Sequence, residues 1–108
     1  MATIKLFEEL EIWQMARKYS KLIFKLSSSG EFSRDFKFKS QILSAAGSIM
    51  DNIAEGFERG GKLEFIQFLS IAKGSCGETQ SQGYRAFDFN YISEDELNQL
   101  EISAKELG

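Results

Sequence analysis

Apolar residues recur along this chain at steps of three and four, the spacing that gathers side chains on one side of a 3.6-residue helix. In the first segment they are Leu6, Leu10, Trp13, Ala16, Tyr19 or Ser20, Ile23 and Leu26. Phe38, Ile42, Ala45, Ala46, Ile49, Ile53 and Phe57 form the second stripe. A third runs through Leu63, Ile66, Leu69, Ala72, Cys76, Thr79, Gly83 and Phe87, and Phe65, Phe68 and Ile71 add a shorter stripe on another face of the same segment. Leu97, Leu100, Ala104 and Leu107 complete the set. The spacing predicts four helices, near 7–28, 34–59, 62–89 and 93–107.

The punctuation agrees with that division. The chain has no proline, so glycine and serine must end its helices. Ser27-Ser28-Ser29-Gly30 closes the first helix and Gly60-Gly61 the second, because serine competes for backbone hydrogen bonds and glycine accepts positive φ. Ser33 is placed to cap the second helix, with Asp35 in its first turn, and Ser93 with Glu96 reads as a capping box opening the fourth. Short connections imply antiparallel neighbours, hence an all-α, up-down-up-down four-helix bundle occupying residues 1–108 as a single domain. A helix apolar on two faces must be covered on both, which makes Phe65, Phe68 and Ile71 candidates for packing between copies.

Composition narrows the chemistry. With 43% hydrophobic and 27% charged residues, 108 residues make one globular domain with a thin core. The single cysteine, the absence of a secretory pattern at the N-terminus and the lack of an apolar run long enough to span a bilayer predict a soluble cytoplasmic protein. There is no histidine, which removes the commonest general base near neutral pH and the carboxylate-plus-histidine di-iron pattern of ferritin-like bundles. An enzyme or metal-binding bundle would have to use carboxylates, drawn from Asp51, Glu55, Glu58, Glu64 and Glu78, or Cys76. Solvated faces explain the carboxylates better, and Cys76, on an inward stripe, reads as a small buried hydrophobe. No phosphate-binding glycine motif is present, so Gly47, Gly74, Gly77 and Gly83 suggest instead that another helix approaches closely. No cofactor, metal or small-molecule substrate is implied.

The net charge of −3 is unevenly placed: residues 1–62 hold 10 Lys/Arg against 8 Asp/Glu, residues 63–108 only 3 against 8. Within the first part, Arg17, Lys18, Lys21 and Lys25 form a basic strip, since 17, 21 and 25 fall at i, i+4 and i+8, and Arg34, Lys37 and Lys39 extend it. The strip is either a solvated face or a contact for RNA or DNA.

The stretches FEELEIWQMA, QILSAAGSIMDNIAEGFERG and EFIQFLSIAKGSCGE, starting at Phe7, Gln41 and Glu64, resemble the bacterial four-helix-bundle family of proteins encoded within 23S rRNA intervening sequences. The resemblance covers nearly the whole chain. It implies a homopentameric, barrel-like ring with a central pore and no established enzymatic activity. A related branch, the accessory proteins of diversity-generating retroelements, binds nucleic acid and a reverse transcriptase through a strongly basic surface. Here Met50 stands where the family often has proline, the overall balance is acidic, and the last helix is shorter than in many members. The resemblance also marks Asn52, Glu55, Ser75 and Glu78, the polar residues of its two main motifs, as contacts between helices or subunits. The expectation is a non-enzymatic homo-oligomeric scaffold or adaptor with a protein, RNA or DNA partner.

Overall fold

The computed structural model describes residues 3–108, and these fold as four α-helices with no strand among them: α1 (Glu11–Ser27), α2 (Phe36–Glu58), α3 (Lys62–Asp88) and α4 (Glu94–Glu106). Contacts run from α1 to α2, α2 to α3, α3 to α4 and α4 back to α1. One apolar core lies between them, built from Ala16, Tyr19 and Ile23 of α1, Ile42, Ile49 and Ile53 of α2, Ala72 and Ala86 of α3, and Leu97, Leu100 and Ala104 of α4. Among the described residues, no helix is long and apolar enough to cross a membrane.

The helix ends show which local signals prevailed. Ser93 accepts the Glu96 N–H at 3.1 Å while Glu96 accepts the Ser93 N–H at 2.8 Å, the reciprocal box expected from sequence. The N-cap of α2 is Asp35, not Ser33. Ser33 lies in a one-turn 3-10 segment (Phe32–Arg34) and spends its hydroxyl on the Gly30 carbonyl at 2.7 Å, leaving the Asp35 carboxylate to accept the Phe38 N–H at 3.2 Å. The first helix starts at Glu11 rather than near residue 7, because Leu10 is extended and separates α1 from a 3-10 turn at Phe7–Glu9. Helix α3 ends in a Schellman motif with Asn90 at φ 61: the Tyr91 N–H reaches back to the Ala86 carbonyl at 2.8 Å and that of Asn90 to Phe87 at 2.9 Å.

Aromatic side chains lock one end of the molecule. Phe32 and Phe38 stack at 5.4 Å, Tyr91 lies 5.2 Å from Phe32, and the Arg85 guanidinium sits 4.7 Å over Phe38. Tyr91 also donates its hydroxyl to Asp35 at 2.8 Å, so the residue that caps α2 is tied to the α3–α4 connection.

The two apolar stripes of α3 exchange roles along its first half. Leu63 and Ile66, the start of the main stripe, are exposed, and Phe65 and Phe68 are the half-buried pair packed on α2. Gly56 decides this: a Cβ there would lie 2.5 Å from the Phe68 Cβ, so only glycine lets the two helices approach this closely.

Candidate interaction site

Three surfaces gather the residues singled out by the sequence. The first is the seam between α2 and α3. Ser75 donates to the Ser48 hydroxyl at 3.0 Å, an interhelix bond, and Asn52 reinforces Ser48 by donating to its carbonyl at 2.7 Å and its hydroxyl at 2.9 Å. Glu55 turns instead to Arg59 on its own helix at 2.8 Å, an exposed i, i+4 pair of small energetic consequence. Glu78 is exposed and accepts from Gln82 across a long 3.5 Å. Ser48 and Ser75 therefore join the helices, Asn52 supports them, and the two carboxylates face outward. Sequence reading missed Ser48, whose signal was its place one turn before Asn52. An open polar groove of about 560 Å³ follows the seam past Ser44, Glu78 and Arg85.

The second surface is the outer face of α1. Arg17, Lys18, Lys21 and Lys25 are all exposed, and a shallow recess of about 300 Å³ forms among Gln14, Arg17, Lys18 and Lys21. None of the four lies in an ion pair; among the described residues the one ion pair is Arg59–Glu55. Helix α4 packs against α1, yet its carboxylates do not reach the strip. The strip also carries an aromatic side chain that charge patterning overlooked: Phe24, between Lys21 and Lys25, is 59% exposed, with the Lys39 ammonium 5.8 Å from its ring centre.

The third surface is an apolar trough of about 440 Å³ where α4 comes to its end beside α1, α2 and α3. Cys76 lines it, half-buried and unpaired. Burial, and after it the carboxylate of Glu101, push the Cys76 thiol above its ordinary pKa, which holds the sulfur protonated and blunts its nucleophilicity. The carboxylates Asp51, Glu55, Glu58, Glu64 and Glu78 do not converge: among the described residues no three Cys, Asp or Glu side chains are grouped to hold a metal ion. Phe65 and Phe68 are held against α2, the former 6.2 Å from Phe57, whereas Ile71 is exposed.

Residues 8–108 match the family model described as 23S rRNA-intervening sequence protein. The chain belongs to that family. Among solved structures, this chain is similar to a protein of unknown function from the S23 ribosomal protein family of Bacteroides thetaiotaomicron VPI-5482, with a TM-score of 0.79 and 20% identity. The likeness covers 89% of this chain and 90% of that one. At that identity it shows a shared fold. No curated protein matches the sequence.

Proposed function

We propose that this family member is a non-enzymatic scaffold or adaptor: an antiparallel up-down-up-down four-helix bundle that assembles with copies of itself, as a homopentameric ring in the cytoplasm, and docks a partner. The antiparallel order is supported by the pairing of Phe57 with Phe65, Ser48 with Ser75 and Phe38 with Arg85, in which numbers fall along α3 as they rise along α2. The observation that carries assembly is the uncovered apolar surface of α3, where Leu63 is 76% exposed and Ile66 and Ile71 are each 52% exposed. Side chains of this size gain about 1.5–3 kcal/mol each on full burial, and one helix contributing three of them in water favours association. Rings of this kind repeat one heterologous contact until it closes. Light scattering at micromolar concentration is expected to give about five times the 12.2 kDa of one chain; a 12.2 kDa particle would overturn the proposal.

The exposed, unpaired strip on α1 favours nucleic acid as the docked partner. Phe24 adds to it a flat surface on which a base can stack while Arg17, Lys21 and Lys25 meet phosphates, the combination that single-stranded nucleic acid uses. A ring would repeat the patch and raise a weak single contact by roughly 10² or more. Phosphate contacts release counterions, so binding of single-stranded RNA should fall steeply with salt and show little sequence preference. The variant Arg17→Glu/Lys21→Glu/Lys25→Glu, still assembled, should lose it. Equal binding by wild type and variant, or no binding by wild type at low salt, makes the strip a solvated face and the partner a protein.

A further inference from the structure

Phe36, the first residue of α2, is 79% exposed, more than any other aromatic side chain among the described residues. No packing inside the chain accounts for a ring left in water there. Lys39 lies one turn further along α2, at the i, i+3 spacing that makes two helical side chains neighbours, and its ammonium reaches to 5.8 Å from the ring centre of Phe24 on α1. The two exposed rings therefore flank one lysine. Lys21, one turn before Phe24, and Lys37, next to Phe36, add exposed positive charge, and none of these three lysines is ion-paired. Asp35, the carboxylate adjacent in sequence, is engaged by the Tyr91 hydroxyl and the Phe38 N–H.

We propose that Phe24 and Phe36 are paired stacking platforms for two bases of one nucleic-acid strand, which crosses from α1 to α2 with the phosphate between those bases held at Lys39. The pairing deepens the nucleic-acid reading above and rests on it. Packed helix axes stand about 8–10 Å apart, so rings on two different helices are separated by far more than the roughly 3.4 Å between stacked neighbours in a duplex strand. Only a strand whose bases are splayed can use both. A duplex keeps its bases stacked inward and meets the lysines but neither ring, so the ligand is single-stranded RNA or DNA. Charge selects this occupant over a second copy seated patch to patch, which would set lysines against lysines, whereas each base on a ring brings its own phosphate to an ammonium.

Fluorescence anisotropy at low salt with a labelled oligouridylate tests the pairing, beside the same phosphate backbone made of abasic residues. Phe36→Leu keeps an apolar side chain at a position that faces solvent, so helicity and assembly should be unchanged while oligouridylate binding weakens roughly tenfold. Phe36→Trp should bind as well as wild type. The abasic strand should bind wild type and Phe36→Leu alike, because phosphates do not sense the ring, and Lys39→Gln should weaken both strands. Oligouridylate binding that is lost in Arg17→Glu/Lys21→Glu/Lys25→Glu but unchanged in Phe36→Leu overturns the second platform and leaves the strip reading standing. An equal loss for the abasic strand, or a Phe36→Leu protein whose assembly changes in light scattering, overturns it as well, the latter by making the ring a contact between copies. A wild type that binds no oligouridylate at low salt overturns both readings.

Discussion

Gly56→Ala is expected to destabilise the protein by about 2 kcal/mol, although alanine is the better helix former by about 1 kcal/mol. The added methyl would sit 2.5 Å from the Phe68 Cβ and 3.2 Å from both the Phe65 Cδ1 and the Phe68 Cγ. A Cβ is fixed to its backbone, so no rotamer change of Phe68 relieves the closest contact. The helices α2 and α3 must part, and the Phe57–Phe65 edge contact and the Ser75–Ser48 bond open with them. The matching control is Gly47→Ala on the same helix. There the methyl meets nothing within 4 Å, and stability should rise by up to about 1 kcal/mol. Urea unfolding of the two variants beside wild type checks the reversal of sign. A Gly56→Ala protein as stable as Gly47→Ala would mean that the α2–α3 approach is looser than its geometry indicates. Because the displaced contact is the largest helix–helix packing in the fold, the loss should also lower Tm by roughly 10 °C.

These glycines show how far the sequence could be read. Helix number and order follow from local periodicity, and the Ser93–Glu96 box was legible because all its atoms lie within four residues. Ser33 and Asp35 both can cap a helix, and the choice depends on where the chain turns inward. Phe32, buried against Phe38 and Tyr91, sets that point, and Tyr91 is far away in sequence. Helix α3 showed two apolar faces without saying which was inward, since the answer lies in Gly56 on α2. Gly56 looked no different from Gly47: a glycine's reason is written in the helix it touches. The basic strip was readable as i, i+4, i+8, while Phe24 within it was passed over because the pattern sought was charge.

Alkaline pH should unfold this protein through Tyr19. Its ring is fully buried in the core and its hydroxyl has no hydrogen-bond partner among the described residues. Burial first, then negative charge at Cys76 and Glu101, raise its pKa far above the ordinary phenol value. A phenol whose folded pKa exceeds its unfolded one contributes stability that is complete below the unfolded value and is lost as pH rises towards the folded value. Unfolding releases the proton that folding retains, so above about pH 10 each further pH unit should remove about 1.4 kcal/mol through this one side chain. Cys76, raised by burial and Glu101, acts in the same direction from the thiol range upward. So does Tyr91, whose donated bond to Asp35 is lost when the phenol ionises. The variant Tyr19→Phe isolates the main contribution. At pH 7 it should be at least as stable as wild type, because the hydroxyl it lacks is buried without a partner, a condition that costs about 1–3 kcal/mol. Between about pH 10 and 12 its unfolding free energy should decline less steeply than that of wild type, by about 1.4 kcal/mol per pH unit. Parallel declines in the two proteins would show that Tyr19 ionises as readily folded as unfolded, and that its surroundings admit the charge that this packing excludes.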